Sequence, residues 1–142
     1  MECLFCRIID GALPATVVLD EPFTLGFLDT RPVFKGHVLL VPKIHVDTLV
    51  DLPAELLPVL MGAAQRLSGA VVGGLGAQGS FVAVNNVVSQ SVPHLHVHVV
   101  PRTKGDGLRG FFWPRTKYAD DDEMAEYAAR LRAALPPGGL QS

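Results

Sequence analysis

Three histidines alternate with single apolar residues in the stretch of the sequence best suited to chemistry. They are His94, His96 and His98. An alternation of period two predicts a β-strand whose apolar side chains face a core while the imidazoles lie in a row on the other face, about 6–7 Å apart. Imidazole acts as a nucleophile, a general acid or base, or a cation near neutral pH. We therefore predict a catalytic face on a strand within Ser91 to Arg102.

Two cysteines, Cys3 and Cys6, form a Cys-x-x-Cys motif early in the chain. Two thiolates at this spacing are half of a tetrahedral zinc site. A thioredoxin-like redox motif is an alternative, although such a motif follows a strand and the sequence predicts none before Cys3. A pair of ordinary packing cysteines is the third interpretation. The identity of two further ligands decides among these three.

The composition indicates one domain with its own core. The chain has 142 residues, of which 49% are hydrophobic, and a formal net charge of -2. This charge gives no general attraction to nucleic acid or membranes. No uninterrupted apolar run reaches the roughly 18 residues that span a bilayer, and the first residues lack the pattern of a secretory signal. Because two cysteines without a leader favour a reducing compartment, we expect a cytoplasmic protein with no nucleic-acid or membrane partner.

The hydrophobic pattern predicts four strands besides the one that carries the histidines. Their expected ranges are 16–19, 23–29, 37–42 and 80–86. The first two are separated by a turn-forming Asp-Glu-Pro, which predicts a hairpin. The third strand is almost continuously apolar, which places it at the centre of a sheet.

Two helices are predicted. The longer one runs from Leu49 to about Gly74, with Asp51 as its cap and Pro53 at or near its first position. Pro58 fits such a helix only if it still falls in the first turn. A C-terminal helix follows the acidic cap at residues 118–122. Strands and helices together predict an α+β fold.

With these elements placed, the chain resembles the histidine-triad (HIT) superfamily, whose mark is His-x-His-x-His followed by two apolar residues. That motif here is His94 to Val100, and Asp29, Pro32, Gly36-His37 and Pro42-Lys43-Ile44-His45 also match the family pattern. The resemblance covers most of residues 3–102. We expect one HIT-like domain over residues 1–142, with a core at 3–102 and a C-terminal extension at 103–142. The implied fold is an antiparallel sheet of about five strands with the long helix on one face.

The resemblance implies a nucleotide-binding hydrolase that acts on conjugates of a nucleoside monophosphate, such as phosphoramidates or dinucleoside polyphosphates of a purine. His96 would attack the α-phosphorus and form a covalent nucleotidyl-histidine, which water then releases. The carbonyl of Pro93 or the backbone of His94 is expected to hold the second ring nitrogen of His96. The other catalytic candidates are His98 and Gln90 for the phosphoryl oxygens, Ser91 for the leaving group, and His37 behind the triad.

The resemblance also implies a nucleotide pocket. Asp29 would bind the ribose hydroxyls, because a carboxylate is a suitable acceptor for a cis-diol. Candidates for the walls of the base slot are Phe5, Ile8 and Phe27, although core packing explains each of them as well. Asn85 is a candidate donor to phosphate oxygens. Loops of the family read Asn-x-Gly-x-x-x-Gly-Gln here, whereas this one lacks both glycines and is about two residues shorter.

In zinc-bearing bacterial members, the histidine after Pro-Lys joins the early cysteines and the first triad histidine around the metal. The resemblance therefore implies a structural zinc held by Cys3, Cys6, His45 and His94, a closed set without a position for substrate. It also implies a homodimer in which each subunit lends its C-terminal region to its neighbour. The aromatic stretch 111–113 fits such an interface and fits core packing equally well.

Three other functions remain open from the sequence. In a metalloenzyme, two triad histidines would bind a catalytic metal, but no third ligand is evident on the same face. A nucleotidyltransferase or phosphorylase would pass the nucleotidyl group to phosphate or a sugar phosphate instead of water. A non-catalytic nucleotide-binding module would result if the shortened loop had lost turnover.

Overall fold

The computed structural model of the protein describes residues 3–108 and 115–136. Contacts divide the chain into two compact units, Met1–Asp106 and Gly107–Ser142, and the single domain stays a prediction. The aromatic stretch 111–113 lies outside the described residues. In chain order the helices and strands are α1 (Leu4–Ile9), β1 (Val17–Asp20), β2 (Thr24–Leu28), β3 (Val38–Pro42), α2 (Leu57–Leu75), β4 (Gly79–Val84), β5 (Val97–Arg102) and α3 (Asp121–Ala134).

The first unit is built on a five-stranded antiparallel sheet in the order β1-β2-β3-β5-β4. The predicted hairpin and the central position of β3 are confirmed, since all five residues of β3 are buried. The register places Leu39 of β3 opposite His98 of β5. The α+β prediction is confirmed, and the histidine region lies against the middle of the sheet.

Helix α2 covers one face of this sheet. Its inward side chains Leu60, Leu67 and Val71 pack with Leu40 and Val97, all of them at most 4% exposed. Burying a side chain of this size contributes about 1.5–3 kcal/mol. By length and composition alone, the segment Ala54–Leu75 could also cross a membrane. Its interspersed glycines, Gln65 and Arg66 interrupt the apolar residues, so the segment contains no uninterrupted apolar run long enough to span a bilayer.

The predicted start of the long helix was wrong. Residues Leu49–Asp51 and Ala54–Leu56 form two short 3₁₀ turns, and the α-helix begins only at Leu57. The reason is Pro58, whose ring would clash with the carbonyl four residues earlier in a longer helix, so that it fits only in the first turn. Asp51 caps the first 3₁₀ turn through Thr48 instead.

The histidine segment also differs from the prediction, because β5 begins at Val97 and only His98 of the triad lies in the strand. Pro93 has no backbone N–H for a ladder, and the N–H of His94 turns back to the carbonyl of Val92 at 2.8 Å. Beyond the end of β3 the N–H of Leu95 binds the carbonyl of Val46 at 2.8 Å. This loop connection still keeps the imidazoles on the face opposite α2.

That second face carries a smaller core covered by α1. Phe5 of α1 packs with Leu25, Phe27, Leu39 and Val41 of the sheet. This cover buries His94 and His96, which are 0% and 3% exposed, whereas His98 is only partly buried. The predicted catalytic face is therefore covered by α1 and is not an open strand surface.

The second unit contains helix α3. Asp120 caps it as predicted, since its side chain accepts a hydrogen bond from the N–H of Glu123 at 2.8 Å. None of the described residues of α3 is buried, and Met124, Tyr127 and Leu131 are exposed along one side.

Candidate active site and metal centre

The hydrogen bond of His96 fixes which of its nitrogens is available. Its Nδ1 lies 2.7 Å from the carbonyl oxygen of His94. Because a carbonyl can only accept, Nδ1 carries the proton and Nε2 carries the lone pair. The backbone acceptor for His96 is therefore His94 and not Pro93. An imidazole in this tautomer can attack an electrophile without first losing a proton.

His37 and His98 form an ordered chain of hydrogen bonds beside His96. The backbone N–H of Val33 donates to Nδ1 of His37 at 3.1 Å, and Nε2 of His37 lies 3.0 Å from Nδ1 of His98. It follows that His37 donates from Nε2 and that His98 carries its own proton on Nε2. The His96 and His98 rings have centroids 4.9 Å apart, closer than an ideal strand gives.

Burial lowers the pKa of His37 and of His98 and so favours their neutral forms. Desolvation, followed by the neighbouring His96 and His37, lowers the pKa of His98 to about 4. Desolvation also lowers the pKa of His37, opposed by the carboxylate of Asp29, whose Oδ2 lies 3.7 Å from His37 Nδ1. Near pH 7 His98 is thus a neutral N–H donor.

A cavity of about 370 Å³ opens between α1 and the sheet at the triad. Its polar lining consists of Thr16, Asp29, Thr30, Ser91, His96 and His98. Its apolar walls are Leu4, Phe5, Ile8, Leu13, Pro14, Ala15, Phe27, Leu28, Leu39 and Val92. The structure thus brings together every predicted pocket residue except Asn85, and of the predicted catalytic residues His37 and Gln90 do not line the cavity.

Phe5 connects the cavity to the metal cluster described next. Its ring packs edge-on against Phe27 at a centroid distance of 5.4 Å. It also contacts His96 at 5.1 Å and His94 at 6.0 Å. The sequence suggested Phe5 only as a wall residue, and its contact with both imidazoles is a consequence of the fold.

Cys3, Cys6, His45 and His94 converge, with one ligand atom from each within 4.8 Å of all the others. His94 Nδ1 lies 3.4 Å from Cys3 Sγ, 3.6 Å from Cys6 Sγ and 3.2 Å from His45 Nδ1. Tetrahedral zinc with bonds of about 2.3 Å to sulfur and 2.05 Å to nitrogen separates sulfur from nitrogen by about 3.6 Å and two nitrogens by about 3.3 Å. The observed spacings therefore fit a zinc ion.

The outer hydrogen bonds of the two histidines also fit a metal. His94 donates from Nε2 to the carbonyl of Pro42 at 2.9 Å, and His45 donates from Nε2 to Oδ1 of Asp47 at 2.9 Å. Both Nδ1 atoms therefore present lone pairs to each other, an arrangement that a cation between them stabilises. Burial lowers the pKa of His94, which keeps it in the neutral form that binds metals.

The pKa of the Cys6 thiol is affected by its position in the same cluster. Desolvation and its hydrogen bond with Cys3 raise the pKa of Cys6 to about 11. Without a cation the second thiol therefore stays protonated, whereas zinc binds the thiolate. Among the described residues this is the one group of three or more metal-ligating side chains, and the four members are those expected from the sequence.

Comparison with known proteins decides the family. The sequence model of the HIT domain family matches residues 10–105 of this chain. The chain belongs to the HIT family. An uncharacterised HIT-like protein of Methanocaldococcus jannaschii is 41% identical over 108 residues, which cover 74% of this chain and 82% of that protein.

Two relatives of this HIT protein carry the names of enzymes. A protein of Saccharomyces cerevisiae named adenosine 5′-monophosphoramidase is 32% identical over 135 residues, covering 94% of this chain and 82% of the relative. A protein of Arabidopsis thaliana named adenylylsulfatase is 33% identical over 109 residues. The match covers 75% of this chain but spans only 55% of the Arabidopsis protein.

Solved structures agree with the fold. A HIT family protein of Bacillus subtilis superposes with a TM-score of 0.85 at 30% identity, covering 97% of this chain and 100% of the other. A zinc-bound histidine triad family protein of Mycobacterium smegmatis superposes with a TM-score of 0.73 at 36% identity, covering 95% and 99%. The predicted HIT-like fold is therefore confirmed.

The loop before the triad is the part of this HIT protein that departs from the family pattern. Val87 and Ser89 have positive φ angles of 68° and 61°. A left-handed backbone is costly for a residue with a side chain and especially for a β-branched one. The loop lacks the two glycines of the family pattern. Its backbone nevertheless adopts the positive φ angles that glycine accepts most easily.

Side chains around this loop hold it in place. Gln90 accepts a hydrogen bond from the N–H of Val87 at 3.0 Å and donates to the carbonyl of Asp47 at 2.5 Å. Asn86 accepts from the N–H of Leu49 at 2.8 Å. Sequence reasoning missed Asp47, and its only local signal is its position two residues after His45. The role of Gln90 toward phosphate stays a prediction.

Proposed function

We propose that the protein is a nucleotide hydrolase that cleaves the bond between the α-phosphate of a purine nucleotide and its leaving group. Phosphoramidates and dinucleoside polyphosphates are the expected substrates. The observation that carries the proposal is His96, which lines the cavity and whose Nδ1–H bond to the His94 carbonyl leaves a lone pair on Nε2. The relatives named phosphoramidase and adenylylsulfatase support the same class of reaction.

In the first step, Nε2 of His96 attacks the α-phosphorus, and the phosphorus–nitrogen or phosphorus–oxygen bond to the leaving group breaks. The leaving group departs with the electron pair of that bond and takes up a proton, for which the Ser91 hydroxyl at the cavity is positioned to serve as donor or relay. The neutral His98 donates its Nε2–H to a phosphoryl oxygen. The product is a covalent nucleotidyl-histidine.

In the second step, water attacks the phosphorus, and the bond to His96 breaks with its electron pair returning to Nε2. The proton that the water loses replaces the one that Ser91 passed to the leaving group. Imidazole is a fair leaving group, so two moderate barriers replace one high barrier. One water is consumed, and the products are a nucleoside monophosphate and the free leaving group. The hydrogen-bond chain from Val33 through His37 holds the tautomer of His98 unchanged throughout.

The nucleotide itself fits the cavity by type of group. The base would lie between Phe5, Ile8 and Phe27, and the ribose would lie at Asp29. Asp29 already accepts a hydrogen bond from the N–H of Arg31 at 2.9 Å through Oδ1. This bond orients the carboxylate and leaves Oδ2 for the hydroxyls.

We assign a structural zinc to Cys3, Cys6, His45 and His94. When bound, the ion cross-links α1 to the triad segment and has no free coordination position. Because His94 would be a ligand, proton transfer falls to Ser91 and water, and His98 keeps its role as a hydrogen-bond donor. A reducing compartment such as the cytoplasm would keep both cysteines out of a disulfide and able to bind zinc, and we expect the protein to be located there.

A homodimer is part of the same proposal. Strand β4 lies at an edge of the sheet, where an unpaired strand can add a second copy. Beside it, helix α2 exposes Leu57, Met61 and Val72 on its outer side. An interface formed by these two elements would bury this apolar surface.

The proposed function is tested by incubating the protein with an adenosine phosphoramidate and with a diadenosine polyphosphate. Both should release the mononucleotide, with a burst of labelled protein under single-turnover conditions. Added phosphate that appears in the product would identify a transferase, and tight binding without release would identify a binding module.

The variant His96→Ala should turn over at less than about a hundredth of the wild-type rate and still bind the mononucleotide within a few-fold. His96→Asn is the matched control, because its amide can keep the bond to the His94 carbonyl while lacking a nucleophile. Equal loss in both variants assigns the effect to chemistry. Turnover above that level in either variant contradicts the covalent mechanism and favours a metal-activated water.

A further inference from the structure

Asp47 lies between the metal cluster and the loop that ends in Gln90, and it contacts both. Its Oδ1 accepts the Nε2–H of His45 at 2.9 Å, and its backbone carbonyl accepts the side-chain amide of Gln90 at 2.5 Å. The side chains of His45 and Asp47 are 44% and 59% exposed. A polar contact this exposed contributes little to the stability of the fold, so its effect lies in orientation.

The carboxylate orients a metal ligand. By accepting the Nε2–H, it holds His45 in the tautomer whose Nδ1 lone pair faces Cys6 Sγ at 3.4 Å and His94 Nδ1 at 3.2 Å. Carboxylates in this position behind a metal-binding histidine raise the basicity of the ring and restrict its rotation. Removing such a partner weakens metal affinity about 10–100-fold, and an exposed partner belongs at the lower end.

The carbonyl holds the strained loop. Gln90 bridges Asp47 to the N–H of Val87, one of the two non-glycine residues with positive φ in the described part of the chain. Strained backbone of this kind persists only when the surroundings impose it. The segment from Pro42 to Asp47 also accepts the bonds from His94 Nε2 and from the N–H of Leu95. One short segment therefore supports the loop and the triad together.

We propose that Asp47 is a positioning residue that couples the metal centre to the loop of residues 85–90. Its carboxylate orients His45 for metal binding. The bound metal would in turn fix the segment from Pro42 to Asp47, and the carbonyl of Asp47 holds Gln90. The proposal rests on the proposed function only for the loop's contact with substrate. The coupling itself is measurable in protein that turns nothing over.

The carboxylate is tested by the zinc affinity of the full chain, measured in competition with a chromophoric chelator. Asp47→Ala should bind zinc about tenfold more weakly, and Asp47→Asn should stay within about threefold of wild type because its amide oxygen can still accept the bond. Asp20→Ala is the matched control: it removes the same charge from an exposed carboxylate that pairs with Lys43 of the same segment. Asp47→Ala within twofold of wild type would overturn the proposal.

The coupling is tested by amide hydrogen exchange of the wild-type protein with zinc and after chelation. Chelation should speed exchange at Val87 by at least about tenfold and leave Leu40 in the central strand unchanged. Equal exchange at Val87 in both states would overturn the coupling, whatever the activity. If turnover exists, Asp47→Ala at limiting zinc should raise KM several-fold with kcat within twofold, and excess zinc should restore KM. A fall in kcat alone would contradict a positioning role.

Discussion

At the scale of single residues, the chemistry depends on which nitrogen of each histidine carries the proton. His96 is fixed by the His94 carbonyl, and His98 is fixed by His37. His94 is turned the other way, because Pro42 takes its Nε2–H and leaves Nδ1 for a metal. Three identical side chains thus acquire the proposed roles of nucleophile, donor and ligand from two backbone carbonyls and one neighbouring ring.

Asp29→Ala should weaken the binding of a ribonucleoside monophosphate by about 1–3 kcal/mol, the usual scale for a lost charged hydrogen bond. The 2′-deoxy ligand should lose less, because it has already given up one hydroxyl. Calorimetric titration of both ligands measures the difference. Equal losses would mean that Asp29 acts only through its bonds within the loop, such as the one to Arg31.

His98 should stay neutral down to a pH of about 4, because burial lowers its pKa from the ordinary 6.5. In the unfolded chain His98 takes up its proton near pH 6.5, so between these two values the unfolded state holds the extra proton. The stability associated with neutral His98 is therefore complete above about pH 6.5 and is lost as the pH falls toward 4.

Nitrogen chemical shifts of the His98 ring, followed by titration, measure this directly. His98→Asn should flatten the fall in the free energy of unfolding over the same pH window. A ring that titrates near 6.5 in the folded protein would contradict the burial argument.

At the scale of elements, the unusual feature is the loop between β4 and the histidine segment. It is held from outside by Gln90 and Asn86, and it contains two non-glycine residues in the left-handed region. The valine is the more strained of the two, because branching at Cβ leaves it the least room at positive φ. The strained backbone lies directly before Ser91, which lines the candidate active site.

Val87→Gly should raise the free energy of unfolding by about 1 kcal/mol, since relief of left-handed strain of about 1–3 kcal/mol exceeds the entropy cost of glycine. Val87 is 74% exposed, so little packing is lost. Val88→Gly is the matched control: it is 77% exposed and lacks a positive φ, and it should lower stability by about 0.5–1 kcal/mol. Urea denaturation of both variants decides, and the same sign for both would refute the strain.

At the scale of the whole molecule, the metal cluster joins distant parts of the chain. Cys3 contacts His94 across 91 positions, and Cys6 contacts His45 across 39. The same short helix that brings the cysteines also contributes Leu4, Phe5 and Ile8 to the proposed nucleotide cavity. A zinc ion would therefore fix the cover of the active site as well as its floor.

Metal analysis of the purified protein should give about one zinc per chain. Chelation, or Cys3→Ser combined with Cys6→Ser, should lower Tm by on the order of 10 °C, because losing a ligand at a thousandfold excess over its Kd costs about 4 kcal/mol. The kcat of the folded enzyme should change far less. A chelator added to the double variant is the control and should have no effect. Absence of copurified metal together with an unchanged Tm would return the cysteines to ordinary packing.

Much of the fold could be predicted, because the hydrophobic pattern of each segment agrees with the face that it buries between the sheet and α2. The alternation through Leu95, Val97 and Val99 correctly predicted the face buried under α2. The apolar run in β3 correctly predicted its central place. The start of α2 was missed because Pro53 resembles a first helical residue, whereas Pro58 excludes a helix that begins so early.

The site could be predicted only as far as motifs carry it. The four metal-ligating side chains came from the family pattern, and their distances are consistent with it. Asp47 could not be found in this way, since its contact with Gln90 spans 43 positions and uses a backbone carbonyl, which every residue has. The burial of His96 under Phe5 likewise depends on how α1 packs, which no spacing in the sequence encodes.

The position of Phe5 makes the colour of a substituted metal informative. Its ring packs against the imidazole of the proposed metal ligand His94 at a centroid distance of 6.0 Å and against that of the proposed nucleophile His96 at 5.1 Å. Tetrahedral Co²⁺ absorbs visible light in bands whose position and strength follow the angles between its ligands, whereas Zn²⁺ is colourless. If a nucleotide base that binds against Phe5 also moves the His94 ring, those bands will shift. The visible spectrum of cobalt-loaded protein would then report whether the proposed nucleotide pocket is occupied, because Phe5 connects that pocket to the metal cluster.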